Sequence, residues 1–159
     1  MTAPGEAPIN FIDAHNCFGC GSLNVHGLQL RLHPDPESNG VFTLFTPNSA
    51  FEGYGGMVHG GIVATVLDEV MAWSLYRIGA WAVTAQMETR FRHPLVIDVP
   101  TRATGRIDRD RGRLFDLSAD IRRISDDLIL AEAKATFMRV PEGQANAWRD
   151  RYNTGADGT

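Results

Sequence analysis

Two adjacent glycines and a carboxylate lie in one apolar stretch of the chain, at a spacing that suits chemistry on a carbonyl carbon. Gly60 and Gly61 open the stretch, and Asp68 lies within it. Backbone N–H groups at a helix N-terminus carry partial positive charge and favour a developing oxyanion. Asp68 would lie about two helical turns further along, where its carboxylate could act as a base. The sequence therefore predicts one helix that offers both an oxyanion site and a carboxylate base.

Asp68 and Glu69 are the only charged residues between Ile62 and Tyr76. Neighbouring helix positions differ by about 100°, so the two carboxylates cannot share one face. One is expected to reach solvent or an interface. The other would point into the protein, where a carboxylate needs hydrogen bonds, a cation or a functional reason. A satisfied structural carboxylate is the simpler interpretation, and we expect it to hold for Glu69.

Cys17 and Cys20 are the only cysteines, and they form a C-x-x-C pattern in a glycine-rich segment. As a redox pair they lack the following helix that such motifs use. As half of a zinc site they need two more ligands, and the nearby His15 and His26 stand at unusual spacings. We favour the packing of two small thiols over both alternatives. Two neighbouring cysteines also fit a reducing compartment.

Gly61 and Asp68 belong to a predicted helix that runs from Gly61 to Tyr76, and Gly60 directly precedes it. Apolar side chains recur along it at three- and four-residue steps and form two adjacent stripes. The stripes are Ile62, Val66, Val70 and Trp73, and Val63, Leu67 and Met71. A helix that is apolar on most of its surface is a buried helix, and two mid-helix carboxylates exclude insertion into a membrane.

Strands are predicted on both sides of this helix. A hairpin of residues 28–32 and 41–46 precedes it, and a four-strand meander of residues 80–94, 101–108, 113–124 and 128–140 follows. Because the connections are short, the sheet should be antiparallel. We therefore predict an α+β fold in which five to six curved antiparallel strands wrap around one long buried helix. One small sheet cannot cover such a helix completely, so a second copy of the chain is expected to complete its burial.

Length and composition limit the remaining possibilities. The chain has 159 residues, of which 43% are hydrophobic, and its net charge is -4. These values predict one globular domain without the basic footprint of a nucleic-acid-binding protein. No secretory signal opens the chain, so we expect a cytoplasmic protein. Residues 1–16 and 141–159 are predicted to be tails around a domain at 17–140, with a short helix at 144–152.

Three features of the sequence resemble a known family. They are His59-Gly60-Gly61 followed by Asp68, the segment Cys17-Phe18-Gly19-Cys20-Gly21 with Asn24 and Gly27-Leu28 after it, and Arg90-Phe91-Arg92-His93-Pro94 beyond the helix. Together they resemble the hotdog-fold acyl-CoA thioesterases of the phenylacetate-pathway (PaaI-like) type. The resemblance covers about residues 17–140 and implies the hotdog fold for that region.

The resemblance also implies a reaction, the hydrolysis of a thioester to a carboxylic acid and free coenzyme A at the interface of a homodimer or a dimer of dimers. The backbone N–H of Gly60 would polarise the thioester carbonyl, and Asp68 would act as nucleophile or as general base on water. A hydroxyl matching Thr84, on the facing strand of the partner, would position that water. His59 would shape the loop and contact the thioester. Further candidate substrate contacts are Gly61, Asn48, Glu52 and Arg90. This chemistry needs no metal and no cofactor, because coenzyme A is part of the substrate.

The loop before His59 departs from the family pattern. Many relatives have Gln-Gly-Tyr-Pro-Gly where this chain has Glu52-Gly53-Tyr54-Gly55-Gly56, and loss of the proline predicts a looser loop. The chain contains no G-x-S-x-G elbow and no phosphate-binding loop that would indicate other chemistry. Two alternatives stay open. One is a non-catalytic acyl-CoA-binding or regulatory protein on the same scaffold, and the other is a hydroxyacyl-thioester dehydratase that would pair His59 with Asp68.

Overall fold

The structure is a computed structural model that describes residues 8–9 and 14–152. Six strands and two α-helices make up the described part. The strands are β1 (His33–Pro34), β2 (Val41–Phe45), β3 (Ala82–Phe91), β4 (Thr101–Asp110), β5 (Leu114–Arg123) and β6 (Ile129–Arg139). The helices are α1 (Gly60–Arg77) and α2 (Glu142–Tyr152), and a single 3-10 turn, Ser49–Phe51, precedes α1. The predicted α+β hotdog fold is confirmed.

All strand pairs are antiparallel, and the order across the sheet is β1-β2-β4-β5-β6-β3. The predicted meander of four consecutive strands is therefore wrong for its first strand. β3 pairs with β6 and not with β4, because residues 92–100 carry the chain across to the other side of the sheet before β4 begins. As a consequence β3 forms one edge of the six-stranded sheet, beside the helix that carries Asp68.

Helix α1 is buried in the sheet, as its two apolar stripes predicted. Seven apolar side chains and one hydroxyl of the helix are buried: Val63, Val66, Leu67, Val70, Met71, Trp73, Leu75 and Ser74. Ile62, which the stripe pattern included, is only half-buried at the start of the helix. The Ser74 hydroxyl donates to the Val70 carbonyl at 2.7 Å, so the buried polar group is satisfied.

The first predicted strand lies in the wrong place. Residues 28–32 belong to no strand, and the short strand that pairs with β2 is His33–Pro34, inside the predicted turn. The alternation was nonetheless meaningful, because Leu28, Leu30 and Leu32 are all buried. Gln29 between them has a positive φ of 48°, which interrupts an extended strand. The N–H groups of Leu28 and Leu30 instead bond to the carbonyls of Phe18 and Gly19 and hold the cysteine segment in place.

Beyond the sheet, the predicted short helix near the C-terminus is present and begins two residues earlier than expected, at Glu142. Its Trp148 and Tyr152 rings contact Trp81, with centroids 6.1 Å apart in both pairs. Residues 1–7, 10–13 and 153–159 of the predicted tails lie outside the described residues. Neither α1 nor α2, the two α-helices among the described residues, is long and apolar enough to cross a membrane.

One glycine sets how closely the sheet approaches α1. A methyl group at Gly105 in β4 would lie 2.3 Å from the Val70 carbonyl oxygen in α1. We expect Gly105→Ala to lower the free energy of unfolding by about 2–3 kcal/mol, because helix and strand must move apart. Urea denaturation measures the effect. Gly55→Ala is the matched control, since nothing lies within 4 Å of a methyl group there. Equal unfolding midpoints for the two variants would contradict this packing.

Candidate active site

The N-terminus of α1 exposes one backbone N–H group. His59 is the N-cap residue, and its Nδ1 accepts a hydrogen bond from the Gly61 N–H at 2.9 Å. The His59 carbonyl accepts from Ile62 and Val63, as is usual at the start of a helix. Within residues 8–9 and 14–152, no acceptor bonds to the exposed Gly60 N–H. Of the two predicted glycines, Gly60 therefore offers a donor to a ligand, whereas the Gly61 donor is already in use.

The loop before the helix is held by Glu52. Its carboxylate accepts a hydrogen bond from the Gly56 N–H across the loop. The backbone adds two further bonds, from Gly53 to Met57 at 2.8 Å and from Met57 to Tyr54 at 2.9 Å. These contacts counter the looseness that the missing proline predicts. In this structure the Glu52 side chain shapes the loop, and the Tyr54 ring at the loop tip is 86% exposed.

Asp68 lies eight residues further along α1 and is half-buried. The Thr84 hydroxyl of β3 donates a hydrogen bond to its Oδ1 at 2.6 Å. The resemblance placed this hydroxyl on the partner's strand, and in the structure it reaches Asp68 within one chain. Burial raises the pKa of Asp68 above its ordinary value, and the Thr84 hydrogen bond works in the opposite direction. The pair thus presents a desolvated, oriented carboxylate on the edge of the sheet.

The two predicted chemical groups do not meet within one chain. Gly60 and Asp68 belong to one uninterrupted helix, and eight residues at about 1.5 Å each separate them by about 12 Å along its axis. A reacting carbonyl must contact its base and its oxyanion donor at about 3 Å each. One thioester therefore cannot use both groups of the same helix. A site that contains both needs the Gly60 of one chain and the Asp68 of another.

Three side chains that we did not predict as site residues, Tyr54, Phe91 and His93, line a cleft together with Gly60 and the predicted His59. A methyl group at Gly60 would lie 3.6 Å from the Phe91 ring at the end of β3. The Arg90–Pro94 segment gave a sequence signal for this placement, since it follows the helix in the family pattern. Which of its residues reach the cleft could not be read from alternation, because β3 carries a bulge between Thr84 and Gln86.

Two other predicted substrate contacts lie apart from Gly60 and Asp68. Arg90 is exposed and pairs with Glu88 at 3.2 Å on the same strand. It lines a separate depression with Arg92 and Arg106, not the cleft around Gly60. The Asn48 side chain accepts from the Ala50 N–H at 2.8 Å and caps the 3-10 turn. Neither side chain contacts the Asp68–Thr84 pair within the chain.

A group of polar side chains next to Asp68 was not predicted as a unit. Cys17 and Cys20 lie against Glu69, and the Trp73 Nε1–H donates to the Cys20 sulfur at 3.3 Å and to Glu69 Oε1 at 3.1 Å. The Cys20 thiol hydrogen bond lowers the pKa of Cys17 to about 5, while that bond and burial raise the pKa of Cys20. Burial raises the pKa of Glu69 to about 7. Fifty-two residues separate Cys17 from Glu69, so local spacing gave no signal for their contact.

The capping contact of His59 gives a prediction that separates a structural from a chemical role. We expect His59→Ala to lower the free energy of unfolding by about 1 kcal/mol, because the Gly61 N–H loses its acceptor. His59→Asn should retain most of the stability, since asparagine is a good N-cap. Urea denaturation of the three proteins measures this order. Equal stability of the Ala variant and the wild type would show that the contact does not stabilise α1.

Comparison with known proteins places this geometry in a family. Residues 55–130 match the family model described as Thioesterase superfamily. Nearly half of the chain is thus similar to the thioesterase superfamily. The matched region contains Gly60, Asp68 and Thr84, and the resemblance drawn from the sequence is confirmed.

Individual relatives agree with this assignment. Acyl-coenzyme A thioesterase THEM4 of Xenopus laevis is 29% identical over 98 residues, which are 61% of this chain and 44% of that protein. The chain spans about half the length of the curated relatives it matches. A crystal structure of a thioesterase superfamily protein is 26% identical with a TM-score of 0.72, covering 77% of this chain and 60% of that one. The Escherichia coli PaaI protein from the phenylacetic acid degradation operon shares the fold at 15% identity and a TM-score of 0.66, with 72% and 81% covered.

Proposed function

We propose that this protein is an acyl-CoA thioesterase, which uses water to hydrolyse a thioester to a carboxylic acid and free coenzyme A. The observation that carries the proposal is the half-buried Asp68 carboxylate, held by the Thr84 hydroxyl at 2.6 Å on an open edge of the sheet. The activity named for the THEM4 relatives supports it. A carboxylate and an oxyanion donor suffice for this substrate, because a thiolate is a good leaving group.

We further propose that the working unit is a homodimer, alone or within a dimer of dimers, in which β3 strands pair edge to edge. β3 is the last strand of the sheet, and one of its edges has no partner among the described strands. Its apolar residues Val83 and Phe91 are 41% and 59% exposed. An open edge with exposed apolar side chains is a surface on which another strand can add.

Two-fold pairing of β3 would also assemble the site. Within one chain, Gly60 lies beside Phe91 at one end of β3, and Asp68 lies beside Thr84 at the other end. In an antiparallel pair related by a two-fold axis, the first residues of one strand lie next to the last residues of the other. The Gly60 N–H of one chain then comes next to the partner's Asp68, so that each dimer contains two identical sites. This arrangement removes the separation of about 12 Å within a single helix.

The proposed reaction uses few groups. The Gly60 N–H donates to the thioester oxygen and stabilises the oxyanion as the carbonyl carbon becomes tetrahedral. Asp68 either removes a proton from the attacking water or attacks the carbon itself, and Thr84 holds the carboxylate in position. Collapse of the tetrahedral intermediate breaks the carbon–sulfur bond and releases coenzyme A, whose thiolate takes a proton. If water attacked, the carboxylic acid is formed in this step and the proton comes from Asp68. If Asp68 attacked, an Asp68–acyl anhydride remains, and one water hydrolyses it to the carboxylic acid and the free carboxylate. No cofactor enters these steps, and we propose a cytoplasmic location in keeping with the free thiols.

A thiol-release assay over a panel of acyl-CoA substrates tests the proposal. We expect turnover of at least one acyl-CoA well above the rate of spontaneous hydrolysis, with one thiol released per acid formed. Tight binding of acyl-CoA without turnover would instead favour a binding or regulatory protein. Loss of water from a hydroxyacyl-CoA without release of thiol would favour a dehydratase, in which His59 of one chain would act with the Asp68 of the other.

A further inference from the structure

Three metal-binding side chains that the proposed hydrolysis does not use converge beside α1. They are Cys17, Cys20 and Glu69, and their sulfur and oxygen atoms all lie within 4.8 Å of one another. The Cys17 sulfur is 3.8 Å from one Glu69 oxygen and 4.0 Å from the other. The first two residues come from the segment before the sheet and the third from the helix, so tertiary folding alone brings the set together.

The two thiols are presented by a tight turn. The Gly21 N–H donates to the Cys17 carbonyl at 2.9 Å and closes the turn that carries both cysteines. A methyl group at Gly21 would lie 2.4 Å from the Cys17 nitrogen, so only glycine fits there. Cysteines bind metals as thiolates, and metal binding displaces the thiol protons.

The Glu69 carboxylate is also held in position by its surroundings. A methyl group at Gly19 would lie 2.4 Å from Glu69 Oε2, so the missing side chain makes room for the carboxylate. The Trp73 indole donates to Glu69 and to Cys20, which orients both groups from behind, as outer-shell donors do in metal sites.

The carboxylate of this cluster has no cationic partner in the described part of the chain. Among the described residues no lysine, arginine or histidine forms an ion pair with Glu69, although the group is half-buried beside two thiols. Grouping three potential anions, of which Cys20 is buried and Glu69 half-buried, is costly unless protons or a cation compensate them. His15, which the sequence offered as a ligand, uses its Nδ1 to accept the Cys17 N–H. His26, the other histidine considered, is exposed.

The distances match those of a zinc site. Zn–S bonds of about 2.3 Å and Zn–O bonds of about 2.1 Å place two ligands of a tetrahedral ion about 3.6–3.8 Å apart. The observed separations of 3.8 and 4.0 Å between the Cys17 sulfur and the Glu69 oxygens need only small adjustments. Two sulfur ligands favour zinc over magnesium or calcium, which prefer oxygen. Because Cys17 is exposed and Cys20 is buried, the open fourth position faces solvent.

We propose that Cys17, Cys20 and Glu69 bind one Zn²⁺ ion, with water as the fourth ligand. The ion would fasten the cysteine segment to α1 directly next to Asp68. It takes no part in the proposed hydrolysis, since Glu69 and Asp68 are adjacent residues on different faces of the helix. The proposal differs from the sequence prediction of two packed thiols, because the fold adds Glu69 as a third potential ligand.

Metal analysis of the purified full chain tests the proposal. We expect about one zinc per chain after purification under reducing conditions, and a near-ultraviolet thiolate-to-cobalt absorption band when Co²⁺ replaces zinc. Cys17→Ser and Glu69→Gln should each retain zinc at least about tenfold more weakly against a competing chelator. His26→Ala and Asp68→Asn are matched controls that should keep one zinc, the latter whether or not hydrolysis is lost. Circular dichroism checks that every variant is folded.

Thiol titration separates the metal site from a redox pair. We expect two titratable thiols in the denatured protein without added reductant, and slow reaction of both in the native zinc-loaded chain until a chelator is added. Less than about a tenth of an equivalent of zinc in folded wild type, an unchanged zinc affinity in Cys17→Ser, or a Cys17–Cys20 disulfide that excludes metal would each overturn the proposal.

Discussion

Replacing Asp68 with asparagine should lower kcat for acyl-CoA hydrolysis by about 10³-fold or more. An amide can neither accept a proton from water nor attack a carbonyl carbon as a carboxylate does, and loss of a positioned base typically costs about 10²–10⁴-fold. Asparagine keeps an oxygen that accepts the Thr84 hydroxyl, so the fold and the hydrogen bond at 2.6 Å should persist. KM should change little, because the lost interaction acts in the transition state.

The control for this variant is a carboxylate on the same sheet edge but outside the proposed site. Glu88 lies on β3 and its side chain is 68% exposed, so Glu88→Gln removes one negative charge without touching Asp68. We expect its kcat to stay within about twofold of wild type, and both variants to unfold at similar urea concentrations. An Asp68→Asn enzyme that keeps more than a tenth of wild-type kcat would show that another group supplies the base.

Removing the backbone N–H hydrogen of Gly60 should have the second largest effect on kcat. Gly60→Pro deletes the N–H that we assign to the oxyanion, and we expect kcat to fall about 10²–10³-fold. The substitution suits the fold, because proline is favoured at the first position of a helix. His59 before it has φ -58° and ψ 134°, the extended conformation that a residue preceding proline adopts. Steady-state assays give kcat, and urea denaturation should show stability close to wild type.

Gly60→Ala distinguishes loss of the N–H from addition of bulk. Alanine keeps the donor, and its methyl group would lie 3.6 Å from the Phe91 ring, an ordinary contact distance. Its kcat should therefore exceed that of Gly60→Pro by at least about tenfold. Equal losses in the two variants would mean that space at this position, and not the hydrogen-bond donor, limits the reaction.

The sequence predicted those parts of the fold that depend on local pattern. The apolar stripes of α1 identified a buried helix, because helical periodicity reports which faces are covered. Alternation alone misassigned residues 28–32, where Leu28, Leu30 and Leu32 are buried but the positive φ of Gln29 prevents a strand. The partner of β3 was also missed, because strand order is set by long-range pairing that no local pattern encodes.

The candidate site, like the fold, was predicted only in those parts that depend on local sequence pattern. Gly60 and Asp68 were identified from their positions in one helix, whereas the contact between Thr84 and Asp68 within one chain was not predicted, because the resemblance placed Thr84 on the partner's strand. The helix itself keeps Gly60 and Asp68 apart, a consequence of the rise per residue that we did not draw from the sequence. Glu69 was expected to be structural, and only the fold revealed the two thiols beside it. Groups distant in sequence meet through tertiary packing, so composition and spacing could not pair them.

Complementation between two inactive variants tests the shared site most directly. Asp68→Asn and Gly60→Pro chains, co-expressed with different tags, form mixed dimers in which one site combines an intact Gly60 with an intact Asp68 of the other chain. With random pairing half of the dimers are mixed, and each regains one of two sites, so we predict about a quarter of wild-type activity. Activity that stays at the level of the separate variants, in mixed dimers isolated by both tags, would contradict a thioesterase site built from two chains.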